Sequence, residues 1–260
     1  MRVDEQREGR PGATDTYDGR GGAALTQILD LPRVEVYDSV TSTQDVSHAL
    51  AASGAPAGTL VLAEQQTAGR GRAGRPWASA AGAGIWLTLL ERPRDAAALE
   101  TMTVRVGLRA ARVLDRWTDA PVQLKWPNDL LVHGAKLAGI LVEARWRDAK
   151  PEWAAIGLGI NLLPPRGVPG AALRDGTSRV VVLSELIPAL RSAAAATGPL
   201  SSSELAAFAE RDVARGRRCR EPEAGVVKGI DARGGLIVAG ANGESVHRSG
   251  SLVLEEGAGS

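Results

Sequence analysis

Hydrophobic residues follow two different spacings along the chain, and the spacings predict both helices and strands. Between residues 95 and 117 apolar side chains recur roughly every 3.6 positions, which predicts one long amphipathic helix. Short apolar runs at 59–64 and 85–90 are typical of buried strands. Further strands are predicted at 33–37, 122–126, 130–133, 137–145 and 153–163, and further helices at 23–29, 181–196 and 203–214. The order of these elements predicts an α+β domain.

Two sequence patterns predict where helices begin. Thr41 stands three positions before Gln44, which is the spacing of a capping box and predicts a helix from there to about residue 53. Ser201 and Glu204 have the same spacing at the start of the helix predicted over 203–214.

The chain divides by composition into a tail and two domains. Residues 1–22 mix both charges with Gly and Pro and offer little to bury, so we expect a disordered tail. Residues 23–215 hold the α+β domain. Residues 216–260 change to short β runs separated by Gly-rich turns, which predicts a small all-β barrel. All six tryptophans precede this small domain, so we expect it to serve docking or closure and not base stacking.

Composition excludes several classes of function. The net charge is +1, so no global field attracts the chain to nucleic acid or to a membrane surface. The N-terminus has no secretory signal and no apolar stretch is long enough to span a bilayer. Cys219 is the single cysteine, which excludes an internal disulfide and fits a reducing cytoplasm. The three histidines are scattered, so a histidine-based metal site is not expected.

The first candidate motif is the arginine loop, residues 69–77 with the sequence GRGRAGRPW. Its glycines permit close backbone approach, and Arg70, Arg72 and Arg75 place three guanidinium groups in one short segment. A flexible cationic loop becomes ordered most easily around an anion such as a phosphate. A solvated basic loop or an RNA-binding segment is the alternative. The spacing does not match a P-loop.

The second motif is Lys125-Trp126-Pro127-Asn128-Asp129-Leu130. Asn128 and Asp129 present an amide and a carboxylate together, which suits Mg²⁺ bound mainly by substrate phosphates. Taken alone, such a segment is more often just a tight turn.

Two glycine-containing strands complete the set of motifs. Lys136 begins the apolar run 136–143, where Gly139 leaves room for a ligand beside the backbone. Gly157 and Gly159 occupy the strand 156–161 in the same way. A snorkelling surface lysine and a plain core strand are the alternatives.

Taken together and in this order, five stretches resemble the catalytic core of the biotin protein ligases. They are 42–44 (STQ), 63–77 (AEQQTAGRGRAGRPW), 124–130 (LKWPNDL), 136–143 (KLAGILVE) and 157–162 (GLGINL). The resemblance implies a mixed-sheet core like that of class II aminoacyl-tRNA synthetases, followed by an SH3-like domain. It implies an ATP-dependent ligase that forms biotinyl-5'-AMP and passes biotin to a lysine of a biotin carboxyl carrier protein, with Mg²⁺ as the cofactor.

The resemblance also assigns roles to individual residues. Biotin would contact Ser42, Thr43, Gln44, Gln66, Gly69, Arg70, Arg72, Lys136, Gly139 and Gly157. ATP and the adenylate would contact Arg70, Arg72, Arg75, Trp77, Asn128, Lys136 and Asn161. Lys136, Arg70 and Arg72 would be catalytic, and Asn128 with Asp129 would hold the metal.

Two positions depart from the family pattern. Ala73 stands where relatives often have a basic residue, which could loosen retention of the adenylate. Gln44 stands where Asn is common. Few residues precede the first strand, so the resemblance implies the short form without a DNA-binding winged helix, acting as a monomer or weak homodimer. The rival functions are a lipoate or octanoate ligase on the same fold, a nucleic-acid-binding module, and a catalytically silent ligand-binding relative.

Overall fold

The computed structural model describes residues 16–93, 95–148, 150–165 and 167–255. The helices are α1 (Gly22–Ile28), α2 (Thr43–Ala52), α3 (Ala96–Leu114), α4 (Arg179–Ala195) and α5 (Ser202–Arg211), with 3-10 turns at Arg72–Gly74 and Asp115–Trp117. The strands are β1 (Arg33–Val40), β2 (Thr59–Gln66), β3 (Gly84–Glu91), β4 (Gln123–Lys125), β5 (Asp129–Val132), β6 (Ala135–Arg147), β7 (Lys150–Asn161), β8 (Arg218–Glu221), β9 (Gly225–Ile230), β10 (Leu236–Gly240), β11 (Gly243–His247) and β12 (Val253–Leu254).

The first seven strands form one mixed sheet in the order β1-β2-β3-β7-β6-β5-β4. β1 and β2 are parallel, and the remaining neighbours pair antiparallel. The α+β class with a mixed sheet, expected from the resemblance, is confirmed.

Strand β2 shows how the sheet separates two packing faces. Leu60 and Leu62 belong to the main hydrophobic core, whereas the alternate residues Val61 and Ala63 belong to a smaller cluster that includes Val46 of α2. Because successive side chains of a strand point to opposite faces, helices cover the sheet on both sides. α3 and α4 pack together beneath the main core, and α2 lies against β2, β3 and β7. No helix in the described ranges combines the length and apolarity that a bilayer crossing needs.

The capping box predicted at Thr41 is wrong, and Ser42 caps α2 instead. The Ser42 hydroxyl accepts from the backbone N–H of Gln44. The side chain of Gln44 donates to the backbone carbonyl of Leu141 on β6 at 2.8 Å, so it does not return to its own helix. A contact with a distant strand therefore takes the place of the local one, in which the Gln44 side chain would accept from the backbone N–H of Thr41. The capping box between Ser201 and Glu204 is confirmed at the start of α5.

The expectation of a disordered tail through residue 22 is wrong for its last residues. Tyr17 is completely buried, and the Arg179 guanidinium lies 3.9 Å from its ring centroid. Arg179 also pairs with Glu64 of β2 and with Asp18. The aromatic ring and its stacked cation explain why this segment packs. Residues 1–15 lie outside the described ranges.

The last five strands form a second, antiparallel sheet in the order β11-β10-β9-β8-β12. Gly234 and Gly243 adopt positive φ at two of its turns, as the Gly-rich spacing predicted. The second sheet contacts the first part of the chain, since Trp126 Nε1 donates to the Gly234 carbonyl at 3.0 Å. The SH3-like closure and the domain boundary at 215/216 stay predictions.

Arg105 of α3 is a buried cation that joins three elements of the α+β domain. Its side chain is 3% exposed and pairs with Glu204 of α5 at 2.9 Å. It also donates to Thr101 Oγ1 and to the carbonyls of Gly198 and Pro199, which lie between α4 and α5. The guanidinium thus satisfies backbone carbonyls of the loop between α4 and α5.

We predict that Arg105→Ala lowers the free energy of unfolding by about 3 kcal/mol, because it leaves a partly buried carboxylate and two carbonyls without their donor. Urea denaturation measures this change. Arg116→Ala is the matched control, since the Arg116 side chain is 68% exposed and its loss should cost about 0.5 kcal/mol or less. Equal costs for the two variants would contradict the interpretation.

Candidate active site

One cleft brings together most of the residues singled out in the sequence. It lies where the N-terminus of α2, the arginine loop, the β4–β5 turn and the open face of β6 and β7 meet. The sequence-predicted residues that line it are Ser42, Thr43, Gln44, Gln66, Arg70, Arg72, Arg75, Trp77, Asn128, Asp129, Lys136, Gly139 and Gly157.

Glycines of β6 and β7 form the floor of the cleft, which consists of Gly139, Gly157 and Gly159. Gly139 pairs directly with Gly159, and Leu141 pairs with Gly157. The indole of Trp77 packs on this floor, because a Cβ at Gly159 would overlap its nitrogen and one at Gly139 would lie 3.0 Å from Cζ3. The absence of side chains therefore creates the space that a planar group occupies.

One end of the cleft is polar, uncharged and held in a fixed orientation. Gln66 Oε1 accepts from the backbone N–H of Thr43 at 2.9 Å and from its hydroxyl at 3.1 Å. Gln66 Nε2 donates to Ser79 Oγ at 2.7 Å, and Thr88 donates to Thr43 Oγ1. These bonds determine which way the amide and hydroxyl groups face before any ligand arrives.

Two buried polar atoms at the cleft have no hydrogen-bond partner among the described residues. They are Gln44 Oε1 and Trp77 Nε1. Buried polar atoms are nearly always satisfied, so an acceptor and a donor left open beside one cleft indicate groups that a ligand satisfies.

The opposite end of the cleft is charged. Lys136 Nζ lies 2.7 Å from Asp129 Oδ1 and 4.9 Å from the centroid of the Trp77 ring. Asn128 Nδ2 donates to the Ile140 carbonyl at 2.8 Å, which fixes its amide beside β6. The β4–β5 turn and the start of β6 thus supply a lysine, a carboxylate and an amide within one small region.

The three arginines of the loop have different surroundings. Arg70 pairs with Asp45 and Glu143, each at 2.6 Å, and Arg75 donates to Ser251 of the C-terminal segment at 2.9 Å. Burial lowers the pKa of the Arg72 guanidinium, the nearby charge of Arg75 lowers it further, and Asp129 acts in the opposite direction. An anion entering the cleft would therefore stabilise the charged form of Arg72.

Two predicted residues do not line the cleft. The carbonyl of Gly69 accepts from the backbone N–H of Trp77 at 2.8 Å, and a Cβ at Gly69 would overlap the Trp77 carbonyl, so Gly69 shapes the base of the loop. Asn161 is 6% exposed and donates to the carbonyls of Lys136 and Ala171. Its geometry positions the backbone of Lys136 and leaves the expected contact with ATP without support.

Sequence reasoning missed four residues around the arginine loop, namely Asp45, His48, Glu143 and Trp153. The signals were weak but present. Asp45 and His48 are three positions apart on α2 and so share a face. Glu143 has the same parity along β6 as Gly139, which places it on the face of the cleft.

The side-chain oxygens of Asn128 and Asp129 suit a magnesium ion that is bound mainly by substrate phosphates. They are too few to surround the ion by themselves. Asp129 offers a carboxylate, and no hydrogen bond from the described residues reaches Asn128 Oδ1. Within the described ranges no group of three or more His, Cys, Asp or Glu could hold a metal ion. Magnesium commonly takes one or two protein oxygens and completes its shell with water and phosphate.

Comparison with known proteins places the chain in a family. The model of the biotin/lipoate A/B protein ligase family matches residues 36–161. A biotin--[acetyl-CoA-carboxylase] ligase of Paracoccus denitrificans is 33% identical over 218 residues, which cover 75% of this chain and 90% of the relative. The chain belongs to the biotin protein ligases.

Other members of the family match over shorter stretches or at lower identity. The bifunctional ligase/repressor BirA of Bacillus spizizenii is 40% identical over 127 residues, or 48% of this chain, and the match spans only 39% of the length of BirA. The biotin protein ligase of Aquifex aeolicus, solved in complex with biotin and ATP, superimposes with a TM-score of 0.68. That superposition covers 85% of this chain and 98% of the other at 24% identity, which shows the shared fold.

We predict that Gly159→Ala displaces Trp77 from the floor of the cleft and opens the arginine loop, because the added methyl group would overlap the indole. Trypsin should then cut after Arg70 or Arg72 several-fold faster, as measured by mass spectrometry. Gly107→Ala in α3 is the control: its Cβ would make ordinary 3.5 Å contacts with the side chains of Ile140 and Leu124 and should stabilise the protein by up to about 1 kcal/mol. Unchanged cleavage of Gly159→Ala would contradict the packing described.

Proposed function

We propose that the protein is an ATP-dependent biotin ligase that forms biotinyl-5'-AMP and then transfers biotin to a lysine of a biotin carboxyl carrier protein. One observation carries the proposal. A single cleft has a neutral hydrogen-bonding end, suited to a neutral ring system, and a cationic end, suited to a carboxylate and phosphates. Family membership supports the same assignment.

The chemical obstacle in the first step is the repulsion between two anions. An oxygen of the biotin carboxylate attacks the α-phosphorus of ATP, and the bond from that phosphorus to the bridging oxygen of pyrophosphate breaks. Positioning and charge stabilisation are the main contributions that a protein makes to such a transfer.

Lys136 is the residue that we assign to bridging the two anions. Its ammonium group is paired with Asp129 at 2.7 Å, and this contact holds the lysine at the cleft. When the carboxylate and the α-phosphate enter, they replace Asp129 as partners of Nζ. Arg72 provides a second cation on the opposite wall.

Magnesium supplies further neutralisation of phosphate charge when it is bound. The residues that would hold it are Asp129, once Lys136 has exchanged partners, and Asn128 through Oδ1. The protein's own contribution is to exclude water, because Trp77 covers the glycine floor and the arginine loop borders the cleft in which the mixed anhydride would form. In the second step the amine of the acceptor lysine attacks the activated carbonyl, the bond to AMP breaks, and the amine loses a proton.

The direct test is to incubate the protein with Mg²⁺, ATP and either biotin or lipoate, and to detect the acyl-adenylate by mass spectrometry. We expect biotinyl-AMP with biotin and little product with lipoate. Lipoyl-AMP as the main product would reassign the protein to the lipoate branch of the fold. Absence of both adenylates would end the proposal.

We predict that Lys136→Ala lowers the rate of biotin-dependent pyrophosphate exchange by roughly 10²–10³-fold, because one charged donor in a water-poor site contributes about 3–4 kcal/mol to the transition state. The variant should remain folded, since the side chain is 37% exposed. Lys228→Ala, which removes an exposed lysine of β9, should exchange at the parental rate. Near-parental exchange by Lys136→Ala would refute the assigned role.

A further inference from the structure

Both ends of the Arg70 guanidinium are occupied by carboxylates from outside the arginine loop. Nη1 donates to Asp45 Oδ1 and Nη2 donates to Glu143 Oε1, each at 2.6 Å. Asp45 lies in the first turn of α2 and Glu143 lies on β6. A guanidinium that binds phosphate in a paired fashion needs a free edge, whereas this one is already neutralised on both sides.

The second oxygen of Glu143 is held by a chain of hydrogen bonds that ends in a buried strand. Glu143 Oε2 lies 3.1 Å from His48 Nε2, and His48 Nδ1 lies 3.0 Å from Trp153 Nε1. An indole N–H can only donate, so Nδ1 is the acceptor and the ring proton is on Nε2. His48 therefore donates to Glu143, and Trp153, which is 8% exposed, determines the tautomer.

These contacts connect four elements in a fixed direction. The donors run from Trp153 on β7 to His48 on α2 and on to Glu143 on β6, which in turn accepts from Arg70 of the loop. Each carboxylate oxygen of Glu143 has one donor, so the side chain cannot rotate without losing both. The orientation of Glu143 is thus set by residues outside the cleft lining.

We propose that Arg70 is a positioning residue that anchors the arginine loop to α2 and β6, with His48 and Trp153 orienting its acceptor Glu143. Arg72 and Arg75, which line the cleft and have no carboxylate partner among the described residues, are then the loop arginines available to the substrate anions, so their role differs from that of Arg70. The proposal rests on the proposed function, because the loop closes over the acyl-adenylate. It gives His48 and Trp153 a part in retaining that intermediate.

The anchor is tested first without substrate, by hydrogen–deuterium exchange of the amides in residues 69–77. Arg70→Ala, Glu143→Gln and His48→Asn should each increase exchange there. His48→Gln should stay near the parental rate, because its longer amide still reaches Glu143, whereas the shorter Asn reaches only Trp153. Glu185→Gln is the matched control, since it breaks a surface pair with Arg116. Uniform exchange across these variants would overturn the anchor.

The second test follows release of biotinyl-AMP into the filtrate with biotin, Mg²⁺ and ATP but no acceptor. The double variant Asp45→Asn/Glu143→Gln should release it roughly three- to tenfold faster per turnover, as Arg70→Ala does. If Arg70 instead gripped phosphate directly, the double variant would free its charge and release would slow or stay unchanged while Arg70→Ala leaked. That pattern would overturn the proposal.

Hydrogen–deuterium exchange tests the anchor without substrate, whereas release of biotinyl-AMP also depends on the proposed function. No adenylate from the parental protein would remove the proposed function while the exchange result still decides the anchor. Trp153→Phe keeps an aromatic ring and removes the N–H donor. It therefore provides a second variant if His48→Asn lowers the melting temperature of the protein. Increased loop exchange in Trp153→Phe with a parental melting temperature supports the chain of hydrogen bonds, and parental loop exchange contradicts it.

Discussion

The pairing of β6 with β7 is the constraint on which the candidate site depends. Its register sets Gly139 opposite Gly159 and Gly157 opposite Leu141, which leaves one face of the two strands bare. Shifting either strand by one residue would turn these glycines to the other face. The same two strands carry Lys136, Glu143 and Trp153. The pairing of β6 with β7 therefore positions the glycine floor, the lysine assigned to bridging the two anions, and the residues that anchor the arginine loop.

The cationic side chains at the cleft differ in the groups that compensate their charge, which the net charge of the chain does not show. Among the four cations discussed, Arg70 is neutralised by carboxylates, Arg75 contacts a hydroxyl, and Lys136 is held by Asp129. Arg72 has no carboxylate within ion-pair distance among the described residues; burial and Arg75 lower the pKa of its guanidinium, and Asp129 acts in the opposite direction. An anion entering the cleft therefore meets Arg72 and Arg75 directly, and Lys136 becomes available by exchange of partners.

The sequence predicted the helices, most strands, the mixed-sheet class and the residues that line the cleft. These depend on spacing and on motifs, which are local. The sequence did not predict the features that depend on contacts between residues far apart along the chain. Thr41 and Ser42 are equally good caps in isolation, but the side chain of Gln44 donates to the carbonyls of Leu141 on β6 and Ala155 on β7 instead. Tyr17 lay in a polar segment, and its partner Arg179 is distant along the chain. The sequence showed the charge of Arg70 but not the two carboxylates that pair with it.

The contact of Arg75 with Ser251 joins the arginine loop to the C-terminal segment across most of the chain length. Together with the bond from Trp126 to Gly234, it makes the cleft wall depend on residues that follow the main domain. The two parts of the chain are thus not interchangeable modules. A C-terminal segment grafted from a distant relative would keep a backbone carbonyl at position 234 but would have to bring a new side-chain acceptor for Arg75.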